Sequence, residues 1–233
     1  MEKIKEGELP IIAPEDAIPP AMVALFDFDG TVTHCDSLMP FLRFAVGRTR
    51  FWAGMIALTP AMLRYGLGGF DRTRFKNTVL GQYFGGWRTE RLMGKVERFN
   101  KTILPALCKD EALARIRWHH EQGHRIVLIS ASPEIYLSSW AATLPIEAVL
   151  ATRLEMRDGI VSGRIDGQNC RGPEKVTRLT DYLGGLDGYE FFAYGDSGGD
   201  REMLAIAAHS FYRPFRRPLA GITSRLRFLK ALL

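Results

Sequence analysis

Four short apolar runs, each followed or preceded by a helical pattern, restrict this chain more than any other feature of its sequence. The runs are "AMVALFDFD" (21–29), "HRIVLIS" (124–130), "AVLAT" (148–152) and "EFFAYGD" (190–196). Helical patterns occupy 109–122, 134–143, 173–183 and 199–207. Strands that alternate with helices, and that are apolar throughout rather than at every second position, predict a parallel sheet covered on both faces. In such α/β sheets ligands bind beyond the carboxyl ends of the strands. Asp27, Ser130 and Asp196 all stand at those ends.

Two segments interrupt the alternation. "RLEMRDGIVSGRI" (153–165) reads as a β-hairpin turning at Asp158-Gly159. Residues 38–105 contain no convincing strand. They are rich in Leu, Phe, Met and Trp, are punctuated by glycines and by Pro60, and read as several helices forming a second lobe. No internal repeat or low-complexity tract is present.

Two carboxylates two residues apart, Asp27 and Asp29, end the first strand, where like charges repel. A hard cation or a chemical task is needed to justify them. With Asp196 they form an oxygen donor set of the kind Mg²⁺ prefers, leaving room for waters and a phosphate. Ser130 offers a hydroxyl, and the turn after it offers backbone N–H groups at a helix start, which suit an anion. Lys175, in "GPEKV", supplies a fixed positive charge. A carboxylate nucleophile, a metal, a hydroxyl and a lysine make a set for phosphoryl transfer.

"DFDGT" (27–31), "ISASPE" (129–134), Lys175 and "GDSGGD" (195–200), in this order, resemble the four motifs of the haloacid dehalogenase superfamily in its phosphoserine-phosphatase-like branch. The resemblance implies a Rossmann-like, doubly wound parallel sheet with an inserted α-helical cap of C1 type. It divides the chain into an N-terminal arm (1–20), a core (21–37 and 106–233) and a cap (38–105). It implies that Asp27 is the nucleophile that becomes an aspartyl-phosphate, and that Asp29 is the general acid and base. Mg²⁺ would be held by Asp27, the Asp29 backbone carbonyl and Asp196. Ser130 and the Ala131 amide would bind the phosphoryl oxygens, Lys175 would neutralise charge, and Asp200 would orient Lys175 or a metal-bound water.

Asp36 lies nine residues after Asp27, an offset at which this branch uses an acid to hold the substrate's ammonium group. Capping of a helix that begins near Leu38 is the alternative. His34, Cys35, Cys108, His119 and His120 read as bystanders. One departure is Gly199, where phosphoserine phosphatases carry Asn, and it argues against strict phosphoserine specificity. The implied substrate is therefore a small phosphomonoester such as phosphoserine or phosphoethanolamine, or else a lipid-headgroup phosphate such as phosphatidylglycerophosphate. A phospho-acceptor switch without turnover is disfavoured by Asp29, and a non-catalytic binding protein by the complete motif set.

Composition narrows the setting. The chain has 233 residues, 46% of them hydrophobic, with a net charge of +5 and three cysteines without C-x-x-C spacing. The charge suits an anionic substrate, and equally a weak preference for a membrane surface or nucleic acid, and the cysteines suit a reducing compartment and a cytoplasmic protein; no nucleic-acid partner is expected. Residues 1–20 lack an apolar core of signal-peptide length. Two features allow a contact with the inner face of a membrane. "FWAGMIALTPAMLRYGLGGF" (51–70) is unusually apolar, too short and interrupted to span a bilayer, and is expected to form the core of a helical hairpin. Residues 203–233 contain six Arg or Lys and no acid, and predict either a basic amphipathic helix or a terminal helix docked on the core. Oligomeric state is not legible.

Overall fold

The computed structural model describes residues 20–68 and 71–215. The N-terminal arm, apart from Pro20, and the basic C-terminal stretch beyond Phe215 lie outside the described residues.

A seven-stranded sheet runs through the molecule: β1 (Ala21–Phe26), β2 (Trp87–Arg88), β3 (Arg125–Pro133), β4 (Ala148–Arg157), β5 (Ile160–Asp166), β6 (Tyr189–Gly195) and β7 (His209–Tyr212). The order across it is β2-β5-β4-β3-β1-β6-β7, with β4, β3, β1, β6 and β7 parallel and the β5 and β2 extension antiparallel. The chain thus builds outward from β1 in both directions, which is the doubly wound arrangement expected from the alternation.

Side-chain alternation along β1 divides the core into two layers. Val23 and Leu25 face one side, with Val127, Ile129, Ala193, Leu179 and Met203. That side is covered by α9 (Pro173–Leu183) and α10 (Arg201–Ala205). Ala24 and Phe26 face the other, with Ile126, Leu128 and Tyr136. There lie α7 (Asp110–Glu121), α8 (Glu134–Ala141) and the inserted segment, which supplies α1 (Leu38–Val46), α2 (Arg48–Ala57), α3 (Thr59–Gly66), α4 (Arg72–Phe84), α5 (Thr89–Thr102) and the single turn α6 (Leu104–Leu107). Phe41, Leu80, Phe84 and Phe99 from these inserted helices share one continuous apolar cluster with the sheet residues.

The strand register sets the site. Phe26 pairs with Leu128 on one side and Tyr194 on the other, so Asp27, the Ile129–Ser130 step and the Gly195–Asp196 step fall at one level. Asp27 N donates to Tyr194 O at 2.9 Å, which fixes that level.

Four expectations change. "AVLAT" is not a separate short strand, because it continues without a break into the first arm of the Asp158-Gly159 hairpin as β4. The inserted segment does contain a strand: two residues, Trp87 and Arg88, pair with Val161 and Ile160. The exposed edge strand β7 follows α10, which is shorter than the 199–207 pattern suggested. Finally, the described part of the segment, 51–68, is mostly uncovered rather than the core of a hairpin, with Leu58 buried between its two helices. α2 buries only Phe51 and Gly54, and α3 buries none of its eight residues.

Candidate active site

Immediately after β1 the backbone turns sharply. Gly30 adopts φ +79°, and a methyl group there would collide with the Asp196 carboxylate, so only glycine permits this approach of the two tips. The turn brings Asp27, Asp29, Ser130, Ala131, Lys175, Asp196 and Asp200 onto the wall of one cavity of about 550 Å³, and Asp36 joins them there. The eight residues singled out in the sequence therefore share one space.

Lys175 is its electrostatic hub. Its side chain is 1% exposed, and Nζ lies 2.6 Å from Asp27 Oδ1, 2.6 Å from Asp200 Oδ1 and 2.8 Å from the Ile129 carbonyl. Burial works against its charge, but Asp27 and Asp200 outweigh burial and hold the ammonium above its ordinary pKa. Burial likewise raises Asp27 to about 6 against the pull of Lys175. Burial also opposes the charge of Asp200, yet Lys175 and Ser197 keep its carboxyl below the usual range. The other Asp200 oxygen accepts from Ser197 N at 2.9 Å, Ser197 Oγ at 3.0 Å and Asp196 N at 3.2 Å. Asp200 thus ties the fourth motif to Lys175, and both of its oxygens are committed.

Carboxylate oxygens of Asp27, Asp196 and Asp200 lie within 4.8 Å of one another. Burial followed by the repulsion of Asp200 raises Asp196, against the opposing pull of Lys109, Arg213 and Lys175. This hard, oxygen-only donor set fits Mg²⁺. Because Asp200 is fully bonded, Asp27 and Asp196 are the side chains able to ligate.

Asp29 points to a different set of partners. Ser37 N donates to its Oδ1 at 2.9 Å, and Ser132 Oγ donates to its Oδ2. Burial, with Asp36 adding repulsion, raises its carboxyl to about 7 despite those bonds. Asp36 Oδ1 accepts from Leu38 N at 2.8 Å and Met39 N at 3.3 Å, so the capping alternative is realised while the residue still faces the cavity. The Ala131 carbonyl accepts from Lys76 Nζ.

Sequence reasoning gave no role to several residues of this wall. Lys76, on α4, also bonds Asn169 Oδ1 at 3.1 Å, and burial lowers its ammonium to about 8 although Asp29 and Asp36 oppose the drop. Asn169 Oδ1 also accepts from Thr152 Oγ1 at 3.0 Å. Arg72 and Arg171 line the same cavity. Gly199, read as a lost side chain, also makes room: a Cβ there would lie 2.8 Å from Arg171 Nε. Nothing in the local sequence marks Lys76 or Arg171, whereas Ser132 lay within the quoted "ISASPE" and could have been weighed as a hydroxyl beside Ser130.

A family model described as haloacid dehalogenase-like hydrolase matches residues 24–205. The chain belongs to that family. Protein CicA of Caulobacter vibrioides (strain NA1000 / CB15N) is 38% identical over 200 residues, covering 84% of this chain and 87% of that one. A Mycobacterium tuberculosis (strain H37Rv) protein described as a phosphatase is 28% identical, over 80% of this chain and 67% of that one. The fold is shared with a solved phosphoserine phosphatase carrying a phospho-aspartyl intermediate analogue, at a TM-score of 0.56 and 16% identity, over 83% and 86% of the two chains. As a haloacid dehalogenase-like protein with phosphatase relatives, the chain is a hydrolase of the phosphatase type. Among the described residues no helix is long and apolar enough to cross a membrane.

Proposed function

We propose that the protein hydrolyses small phosphomonoesters through an aspartyl-phosphate on Asp27. The observation that carries this reading is the meeting of Asp27, Lys175, Asp196 and Asp200 at adjacent strand tips, with Asp29 held separately on the wall of the same cavity. Asp27 attacks phosphorus as the ester P–O bond breaks, and Asp29 gives its proton to the departing alkoxide. Water then attacks the phospho-aspartate, Asp29 takes the water's proton, and inorganic phosphate leaves as the Asp27 carboxylate is restored. The burial that keeps Asp29 protonated near neutral pH supports its role as acid, and the bonds from Ser37 and Ser132 hold it in place for both steps. Lys175 restrains Asp27 Oδ1, and Asp200 restrains Lys175. Ser130 Oγ and the Ala131 amide receive the phosphoryl oxygens.

Asp27, Asp196 and the Asp29 backbone carbonyl would hold Mg²⁺, which when bound supplies positive charge against the phosphoryl oxygens. Residues 38–105 act as the cap: α4 brings Lys76 and Arg72 to the wall of a cavity whose floor is formed by the strand tips. Such closure excludes water from the phospho-aspartate until the alcohol has left.

Asp36 stands on that wall with Arg72 and Arg171, so a substrate carrying an ammonium and a carboxylate beside its phosphate matches both signs of charge. Phosphoserine fits this description better than phosphoethanolamine, which lacks the anion. A phosphomonoester panel with Mg²⁺, repeated in chelator, tests the reading. Turnover is expected only with metal, with phosphoserine ahead of phosphoethanolamine, and Asp27→Asn is expected to abolish it. Full activity of Asp27→Asn would refute the nucleophile. A lipid-headgroup phosphate is the second reading, favoured by the exposed apolar side chains of α2 and α3.

A further inference from the structure

The inserted segment has an outer face that its own fold does not explain. Trp52 and Ile56 lie one turn apart on α2 and are 57% and 74% exposed. Leu63 on α3 and Leu67 just after it are likewise one turn apart, at 63% and 86% exposed. Ala53, Ala57 and Pro60 are exposed between them. Scattered apolar side chains at a surface are ordinary, but four large ones exposed along two consecutive helices mark a contact surface. α3 makes the point most clearly: none of its residues is fully buried, Met62 and Tyr65 lean on the rest of the molecule, and Leu63 stays outside.

Charge identifies the occupant. From Ser37 to Phe70 the sequence contains no Asp or Glu and has four arginines, 43, 48, 50 and 64. Arg48 and Arg50, at the start of α2, and Arg64, on α3, are exposed beside the apolar positions. Tryptophan and aliphatic side chains bordered by arginine, without an acid, form the pattern of a helix that lies in the interface of an anionic bilayer. The apolar side chains enter the acyl boundary while the guanidinium groups stay at the headgroups.

We propose that the α2–α3 face is a docking surface for an anionic phospholipid bilayer. Its position adds meaning, because α3 also contributes Tyr65 to the catalytic cavity, where that ring stacks on Phe75 of α4 at 4.7 Å. Docking through Leu63 and Leu67 would therefore place the cavity next to the headgroup layer. Membrane binding is a separate property from turnover, so it is read equally well on Asp27→Asn.

Flotation of the full chain with vesicles of phosphatidylcholine alone, or of phosphatidylcholine with phosphatidylglycerol, tests the proposal. The protein is expected to float with the anionic vesicles and not with the neutral ones. Each arginine withdrawn is expected to weaken binding on the order of fivefold. Trp52→Ser/Ile56→Ser/Leu63→Ser/Leu67→Ser should lose at least ~10-fold in the bound fraction. Its hydrolysis of p-nitrophenyl phosphate in solution should be unchanged, since none of the four lines the cavity. Absence of flotation at low salt, or equal flotation by that variant, would overturn the proposal. So would loss of binding in Arg225→Gln/Arg227→Gln/Lys230→Gln alone, which would move the contact to the C-terminal stretch. Concentration-dependent self-association that the four serines abolish, without vesicle binding, would assign the face to a second copy of the chain.

Discussion

Replacing Lys175 by Met separates the electrostatics of the site from its packing. The two side chains are similar in length, so the aliphatic stem stays in place while the ammonium disappears. Three bonds go with it, at 2.6 Å to Asp27, 2.6 Å to Asp200 and 2.8 Å to the Ile129 carbonyl. Asp27 and Asp200 are then left buried without their counter-charge. Breaking a buried ion pair from one side costs about 3–5 kcal/mol, because an uncompensated charge remains. A domain of this kind has ~5–15 kcal/mol in total, so the variant should fold but unfold at a markedly lower urea concentration. Measurements belong in chelator, so that a bound cation does not take the place of the lysine. The decisive comparison is a double-mutant cycle. Asp200→Asn alone also breaks the pair, but added to Lys175→Met it removes one of the stranded charges. The two changes should therefore sum to less than their separate effects, with a coupling of at least ~1 kcal/mol. Strict additivity, or a Lys175→Met loss below ~1 kcal/mol, would show that the lysine does not hold these acids together.

Three further outcomes are expected. Asp29→Asn should slow turnover by ~10²–10⁴-fold, the usual scale for a positioned acid–base group, with phospho-enzyme accumulating in rapid-quench experiments on p-nitrophenyl phosphate, whose leaving group needs no proton; wild-type rates would remove Asp29 from the chemistry. His119 is buried between His124 Nδ1 and Tyr194 Oη, each at 2.8 Å, and burial, aided by His124, lowers its pKa from 6.5 to about 4. The unfolded chain therefore takes up a proton that the native state refuses as pH falls from 6.5 to 4, and ~3 kcal/mol of stability is lost across that window. His119→Phe should flatten that part of the pH dependence of the urea midpoint, and an unchanged slope would reject the assignment. Gly163 has φ +82°, and a Cβ there would lie 2.5 Å from Gly81 Cα, where β5 meets α4. Gly163→Ala should cost about 2–4 kcal/mol by forcing the two backbones apart, read as a fall in melting temperature of several degrees.

The parts of the fold that were legible are those whose physics is local. A buried parallel strand needs an unbroken apolar run, and β1, β3 and β6 each have one, ended by a polar residue at the tip. The hairpin was legible because Asp158-Gly159 fits the tight turn between β4 and β5, both residues having positive φ. What stayed hidden depends on neighbours. β7, "HSFY", is exposed along its whole length and, among the described residues, pairs only with β6, so it carries no apolar signature. Trp87 and Arg88 form a strand only because β5 is there to receive them. The apolar content of 51–70 predicted burial, since composition reports how much apolar surface a segment has and not whether anything covers it.

The same division runs through the site. Asp27, Asp196 and Ser130 were legible because in-register parallel strands must bring their tips to one level, whatever the helices between them do. Lys76 and Arg171 obey no such rule. Lys76 reaches Ala131 across 55 positions of sequence from an inserted helix whose orientation no motif encodes. Arg171 packs closely against Gly199, where a Cβ would push its side chain aside. Gly199 has a second consequence that its sequence position does not show: it subtracts an amide from the site, and it also leaves room for the Arg171 side chain. The reacting centre can therefore be inherited with the sheet. Selectivity has to be sought where an inserted helix and a loop close over it, because those side chains can change without disturbing the tips.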